Sequence, residues 1–173
     1  MTGGTRLKIL VLHGPNLNLL GRREPHIYGR MTLAELNERI RALAQELDVD
    51  VEIFQSNHEG ELLDKLHAGI DQVHGCILNP AALTQYGVGL HDAIKAVPFP
   101  VIEVHLSNIH AREEWRRHSL VGQAAKGTVQ GLGWRSYTAA LRALVEELRE
   151  RYAPPSSPDI PAAVGTTDVP AGA

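Results

Sequence analysis

Short apolar segments recur along the chain and predict the strands of a parallel sheet. The first covers residues 7–12 (LKILVL) and has almost no polar position, which is typical of a strand buried on both faces. Similar segments cover 49–54, 75–78 and 100–106, and a weaker one covers 128–130. Because helical stretches alternate with these segments, the pattern predicts an α/β fold: a five-stranded parallel sheet with helices on both faces.

The stretches between the predicted strands carry apolar residues at helical spacing. Thr32-Leu-Ala-Glu35 has the form of a capping box and begins a helix with one apolar stripe, formed by Leu33, Leu36, Ile40, Leu43 and Leu47. Ser56-Asn-His-Glu59 has the same form and predicts the start of a second helix. A loop and helix cover 80–96, and the last helix has one apolar side, comprising Trp134, Tyr137, Leu141, Leu144, Val145 and Leu148.

The length and the C-terminal composition indicate one domain with a tail. The chain has 173 residues, enough to bury a sizeable core, and shows no internal repeat. We predict a single α/β domain over residues 1–152. Residues 153–173 are rich in Pro, Ala and Gly without periodicity, which predicts a disordered extension.

Composition narrows the class of protein and its partners. A net charge of −3 argues against nucleic-acid binding, which needs a basic face. The single cysteine, Cys76, lies in an apolar run and cannot form an intrachain disulfide or a cysteine metal cluster. The first apolar run is too short to span a bilayer and lacks a cleavage site, so we expect a cytoplasmic protein without a membrane partner.

Polar residues gather where the predicted strands end. Ligands of open parallel sheets bind outside the carboxyl ends of the strands. There the first strand is followed by a Gly/Pro/Asn loop over 14–31 that begins after His13, and the third strand ends in Asn79-Pro80. The fourth strand delivers Glu103, His105 and Ser107. This edge of the sheet is therefore the expected ligand site.

Glu103 and His105 lie two residues apart on one strand, so their side chains share a face. A carboxylate beside an imidazole can fix its tautomer and raise its pKa, as an acid–base histidine requires. A buried polar pair that only satisfies its own hydrogen bonds has the same spacing. The pattern alone leaves both interpretations open.

Arg23 and Tyr28 share the loop after the first strand. A tyrosine that serves as a base at neutral pH needs its pKa lowered by roughly 2–3 units. A nearby guanidinium supplies about 1–3 units and stays protonated itself. The alternative is a surface loop with two solvated arginines and a packed tyrosine.

The sequence favours neither a cofactor nor a metal ion. Gly14 to Gly21 lacks the Gly-Lys-Ser/Thr ending of a phosphate loop, and the late Gly131-Leu-Gly133 lacks the third glycine of a dinucleotide fingerprint. His105, His110 and His118 match no helical ligand pair. We therefore expect no cofactor and no metal.

Four blocks of this chain closely resemble the type II 3-dehydroquinate dehydratases. They are LHGPNLNLLGRREPHIYG, FQSNHEGELLDKLH, ILNPAALT and VIEVHLSNIHAREEWRRHS, and the match covers about residues 7–150. The resemblance implies a flavodoxin-like fold, no cofactor, and trimers that assemble into a dodecamer. It also implies a lyase of the shikimate pathway that dehydrates 3-dehydroquinate by anti elimination through an enolate.

The resemblance assigns roles by position. Tyr28 would be the base, Arg23 would lower its pKa, and Asn16 would hold a water against the enolate. His105 would protonate the leaving hydroxyl, oriented by Glu103. Further residues would bind the substrate, namely Leu106 and Ser107 at its carboxylate, Asn79 near the leaving hydroxyl, Arg116 at the ring hydroxyls, and Asp92 in a neighbouring subunit's site.

One stretch, AALTQYGVGLHD, departs from the family pattern. Gln85 stands where a substrate-binding histidine is expected, and Tyr86-Gly87 replace Thr-Ser. Glutamine still donates a hydrogen bond but carries no charge. Gln85 and Tyr86 motivate one alternative, the same elimination on an amino analogue of dehydroquinate. Two others stay open independently of this stretch: a role in quinate catabolism, and a ligand-binding paralogue without turnover.

Overall fold

A computed structural model describes residues 6–22 and 30–152, and these fold as five strands and five α-helices in strict alternation. The strands are β1 (Lys8–His13), β2 (Asp50–Gln55), β3 (Gly75–Asn79), β4 (Val101–His105) and β5 (Gly127–Gln130). The helices are α1 (Leu33–Glu46), α2 (Glu59–Ala68), α3 (Val88–Ala96), α4 (Leu120–Ala124) and α5 (Arg135–Tyr152). Four 3₁₀ turns lie in the loops, at Leu17–Leu19, Ala81–Gln85, Ile109–Ala111 and Glu114–Arg116.

All neighbouring strands pair in parallel, in the order β2-β1-β3-β4-β5. This is the flavodoxin-like order, and it confirms the predicted fold class. Strand β2 lies on one side of β1, and β3, β4 and β5 follow on the other side, so the strand order reverses between β1 and β3. His13 lies beside Asn79 at this point. Open sheets of this kind bind their ligands at that switch point, on the carboxyl side.

The three central strands, β1, β3 and β4, are buried on both faces, as their apolar segments predict. Ile9 and Val11 of β1 pack into a cluster with α1 and α5, whereas Leu10 and Leu12 pack into a second cluster with α2, α3 and α4. Burying one such side chain contributes about 1.5–3 kcal/mol. The two clusters therefore hold the strand ends, and the loops that follow them, in fixed positions.

The first predicted capping box is confirmed. The Glu35 N–H donates to Thr32 Oγ1 at 3.2 Å, and the Thr32 N–H donates to Glu35 Oε2 at 2.8 Å. Helix α1 begins directly after this pair. In the part of the chain that is described, no helix is both long and apolar enough to cross a membrane.

The second predicted capping box is wrong. Helix α2 begins at Glu59 with His58 as N-cap and without a side-chain cap. The Ser56 hydroxyl instead accepts from the His58 N–H at 2.9 Å and donates to Glu61. Glu59 Oε1 accepts from the Leu90 N–H at 3.0 Å, in the first turn of α3, whose N-cap is Gly87. Glu59 therefore bonds the backbone of α3 instead of pairing with Ser56 in a local capping box.

Candidate active site

A cavity opens at the carboxyl ends of β1, β3 and β4. Seven residues singled out in the sequence line it: Asn16, Asn79, Gln85, His105, Leu106, Ser107 and Arg116. Apolar side chains, including Leu17, Leu20 and Ile109, form the rest of the wall together with Arg112. The expected ligand site is therefore one pocket, with a histidine, amides and arginines around it.

His105 and Glu103 form a buried hydrogen-bonded pair on β4. His105 Nε2 lies 2.6 Å from Glu103 Oε1, and the Glu103 side chain is 1% exposed. His105 faces the cavity, whereas Glu103 lies behind it. This is the arrangement that orients an imidazole for proton transfer.

Two hydroxyls also hydrogen-bond the Glu103 carboxylate. Thr84 donates to Oε1, and Ser119 donates to Oε2 at 2.8 Å. Burial by itself would raise the pKa of Glu103. The hydrogen bond and charge of His105 and the hydrogen bonds of the two hydroxyls lower it by more, so the pKa lies below its usual range. The carboxylate is therefore ionised at neutral pH.

Packing around this carboxylate also depends on Gly122. A Cβ at Gly122 would collide with Glu103 Oε2 and with the Ser119 side chain. The Gly122 N–H donates to Ser119 Oγ at 2.7 Å, so Ser119 is both the N-cap of α4 and a donor to Glu103. Helix α4 thus positions the pair from its N-terminus.

Left-handed backbone conformations place two loop residues at the cavity. Asn16 has φ 66°, which asparagine tolerates better than most residues, and its N–H donates to Asn57 Oδ1 at 2.9 Å. Ala81 has φ 50°, and its N–H donates to Asn79 Oδ1 at 3.1 Å. The loops after β1 and β3 are also in close contact, since a Cβ at Gly14 would lie 2.6 Å from Pro80 O.

Arg112 is a cavity residue that sequence reasoning missed. Its Nη1 lies 3.4 Å from Ser107 Oγ, and its Nε lies 3.2 Å from Glu113 Oε2. It therefore places positive charge beside the loop of Leu106 and Ser107. The signal was present, because Arg112 and Arg116 belong to the same recognised block, but only Arg116 was assigned a role.

Gln85 is tied to the segment that carries Arg116. Its Nε2 donates to Arg116 O at 3.2 Å and to His118 O at 3.5 Å. Gln85 Oε1 is buried without a hydrogen-bond partner among the described residues. Arg116 lies against the Trp115 ring at 4.0 Å, and its Nε is 3.3 Å from Glu113 Oε2. Gln85, with its buried acceptor, and Arg116 thus both line the cavity.

Other expected site residues lie elsewhere. Asp92 is on α3, hydrogen-bonded to His91 at 2.9 Å, with its side chain 74% exposed and outside this chain's cavity. Arg23 and Tyr28 lie outside the described residues. His13, at the end of β1, is fully buried behind the cavity, and burial lowers its pKa to about 4 despite a hydrogen bond with Asn37.

Comparisons with known proteins point to one family. The family model described as "Dehydroquinase class II" matches residues 7–145. A 3-dehydroquinate dehydratase of Caldicellulosiruptor bescii is 54% identical over 142 residues, which are 82% of this chain and 98% of that relative. One of Desulforudis audaxviator is 52% identical over 140 residues, 81% of this chain and 93% of that relative. The crystal structure of a type II dehydroquinase from Butyrivibrio crossotus matches with a TM-score of 0.80 and 38% identity, covering 82% of this chain and 99% of that one.

Proposed function

Because this chain belongs to the class II dehydroquinase family, we propose that it dehydrates 3-dehydroquinate to 3-dehydroshikimate in the shikimate pathway. The reaction removes a proton beside the ketone and a hydroxyl from the neighbouring carbon. It therefore needs a base, an acid and a group that stabilises the enolate. The observation that carries the proposal is the Glu103–His105 pair at the cavity of a chain with these relatives.

His105 is the acid of the proposed mechanism. Glu103 accepts the hydrogen bond of one ring nitrogen and so fixes the orientation of the ring. The other ring nitrogen then delivers a proton to the leaving hydroxyl, so that water departs instead of hydroxide. Glu103 keeps its charge throughout, and the hydroxyls of Thr84 and Ser119 support it.

Tyr28 is the proposed base, with Arg23 lowering its pKa; these two roles rest on the sequence block that carries them. Abstraction from the face opposite His105 gives the anti course of the elimination. Asn16, which lines the cavity, would bind a water that donates to the enolate oxygen. No step of this mechanism uses a cofactor or a metal.

Recognition uses the loop after β4 and the turn after β3. The N–H groups of Leu106 and Ser107 and the Ser107 hydroxyl bind the substrate carboxylate, and Arg112 adds positive charge there. Asn79 binds near the leaving hydroxyl. Arg116 and Gln85 bind the ring hydroxyls.

We further propose assembly into trimers and a dodecamer in the cytoplasm. Exposed apolar side chains surround the start of α3, where Tyr86 is 62%, Val88 60% and Trp115 61% exposed. Val88 and Asp92 are four residues apart on α3 and share its outer face. A neighbour packed on this surface would receive Asp92 in its own site.

Residues 1–152 act as one catalytic domain in this proposal, supported by the single sheet between two cores.

The direct test follows product absorbance with purified protein and 3-dehydroquinate. We expect turnover, with losses of about 10²–10⁴-fold in kcat for Tyr28→Phe and for His105→Asn. Lys95→Gln on the exposed end of α3 is the control and should keep full activity. Unchanged activity in Tyr28→Phe would refute the mechanism, and ligand-dependent thermal stabilisation without turnover would favour the binding paralogue.

Gln85 motivates a second candidate, the same elimination on an amino analogue of dehydroquinate. Its buried Oε1 has no partner among the described residues and can accept from a hydroxyl or from an amine. Arg116 lines the same cavity, and its positive charge disfavours a charged ammonium there, so we expect the hydroxyl substrate to be preferred. Comparing kcat/KM for the two substrates decides, and a preference for the amine would replace the first candidate with this one.

A further inference from the structure

The loop after β4 presents backbone donors to the cavity. No described residue accepts a hydrogen bond from the N–H groups of Leu106 and Ser107, and both residues line the cavity. The N–H groups of residues 109–112, in contrast, are all hydrogen-bonded. Ile109 donates to the Gln130 side chain, and the other three donate within the loop itself. The unused donors therefore lie at the cavity end of the loop.

Three hydrogen bonds tie this loop to the turn that follows β5, which we call the β5 turn (residues 130–133). Gln130 Oε1 accepts from the Ile109 N–H at 3.0 Å. The N–H groups of Gly131 and Gly133 donate to the carbonyl oxygens of residues 105 and 106, at 3.3 Å and 2.9 Å. The β5 turn thus holds the loop through the backbone groups next to the unused donors and through one that follows them.

The conformation of the β5 turn requires its two glycines. Gly131 has φ 85° and Gly133 has φ 61°, a region in which other L-residues are strained. A Cβ at Gly131 would also lie 3.1 Å from the Asn108 Cβ, so the turn packs directly against the loop. Ser136, fully buried on α5, accepts from the Leu132 N–H at 3.2 Å. The turn is therefore anchored to the core through α5.

We propose that the β5 turn positions the carboxylate-binding loop, holding it so that the Leu106 and Ser107 N–H groups stay open to an anion in the cavity. Gln130, Gly131 and Gly133 are its positioning residues. The identity of the anion, the substrate carboxylate, rests on the proposed function. Donors that are ordered before the ligand arrives bind it more tightly, because less conformational freedom is lost on binding.

The first test is kinetic and uses Gln130→Met, which keeps the length of the side chain and removes the acceptor. We expect KM for 3-dehydroquinate to rise about five- to tenfold, because the buried Ile109 loses its hydrogen bond, with kcat and its pH midpoints unchanged. Gln72→Met is the matched control, since it makes the same change at an exposed position that precedes β3. An unchanged KM in Gln130→Met, or an equal rise in the control, would overturn the proposal.

The two glycines give a second test, which separates contact from strain. Gly131→Ala and Gly133→Ala both place a methyl group at a positive φ. Only the first methyl group meets Asn108; apart from its chain neighbours, no described residue lies within 4 Å of a Cβ at Gly133. We expect the larger rise in KM in Gly131→Ala, because its methyl group displaces Asn108 and with it the Ser107 N–H. An equal or larger rise in Gly133→Ala would overturn the proposed contact between turn and loop.

Hydrogen exchange in the full-length protein without ligand keeps this inference distinct from the proposed function. If the turn and the loop hold each other, Gln130→Met should speed exchange of the Gly133 N–H several-fold, although its own acceptor, Leu106 O, is untouched. Unchanged exchange in this variant would overturn the inference even in an active enzyme. Faster exchange in the variant of a protein that does not turn over 3-dehydroquinate would instead count against the proposed function alone.

Discussion

At the scale of single residues, the Glu103–His105 pair depends on groups that do not line the cavity. Ser119 donates to both oxygens of Glu103, at 3.1 Å and 2.8 Å, and also caps α4. These hydrogen bonds favour the charged carboxylate. The sequence spacing predicted the pair, but it could not predict Ser119 or Thr84, which reach Glu103 only through tertiary packing.

Ser119→Ala should therefore change the pH profile of the reaction. Loss of the donor raises the pKa of Glu103, so the acidic limb of the kcat profile moves to higher pH, and loss of the cap costs about 1 kcal/mol of unfolding free energy. Ser119→Thr, which keeps a hydroxyl, is the control. Identical acidic limbs in wild type and Ser119→Ala would show that the hydroxyl does not support the carboxylate.

His13 predicts a pH dependence of stability. Its pKa is lowered from 6.5 to about 4 in the folded protein, so the unfolded chain binds more protons between these values. This contribution is fully present above pH 6.5 and is lost as the pH falls toward about 4. A shift of this size corresponds to about 3 kcal/mol.

Urea unfolding of wild type and His13→Asn at a series of pH values measures this contribution. The difference in slope between the two proteins isolates His13 from the carboxylates. We expect the wild type to lose more stability on acidification than the variant. Parallel curves would mean that His13 titrates normally in the fold.

At the scale of elements, the turn after β3 carries local strain. Ala81 adopts φ 50°, a conformation that costs an L-residue other than glycine about 1 kcal/mol. The sequence did not mark this turn, because alanine is not a residue that favours the left-handed conformation.

Ala81→Gly should leave the free energy of unfolding nearly unchanged or slightly higher, because relief of about 1 kcal/mol of strain offsets the cost of roughly 0.5–1 kcal/mol that glycine carries in the unfolded chain. Ala82→Gly is the matched control in the same turn; its φ is not positive, so we expect a loss of roughly 0.5–1 kcal/mol. Chemical denaturation measures both. A loss in Ala81→Gly similar to that in Ala82→Gly would contradict the assignment of strain.

Element boundaries show where sequence reasoning works and where it fails. The Thr32–Glu35 box was predictable because both partners are local. The Ser56–Glu59 box failed because Glu59 instead caps α3 across the fold. A capping pattern identifies groups that can bond each other, and only the fold decides whether a distant partner takes one of them.

At the scale of the whole molecule, strand alternation was enough to predict a five-stranded parallel sheet, and the family resemblance supplied its flavodoxin-like topology. The sequence of the buried strands is restricted, because a polar substitution there would bury an unsatisfied polar group in one of the two cores. The loops have more freedom, and the site is built on them. The Gln85 acceptor, which has no partner among the described residues, was therefore visible only in the folded chain, and so was the contact of Arg112 with Ser107.

The surface around α3 gives the last prediction, which concerns assembly. Val88 is 60% exposed and lies one turn from Asp92. If this surface packs against a neighbour, Val88→Asp buries an unpaired charge there and should dissociate the assembly. Activity should fall as well, since Asp92 no longer reaches the neighbouring site.

Ile70→Asp is the control, because Ile70 precedes β3 and lies at the opposite end of the sheet from the cavity. Light scattering after gel filtration should find assemblies of about twelve copies in wild type and in Ile70→Asp, and smaller species in Val88→Asp. An intact, fully active Val88→Asp assembly would show that α3 is not part of the interface.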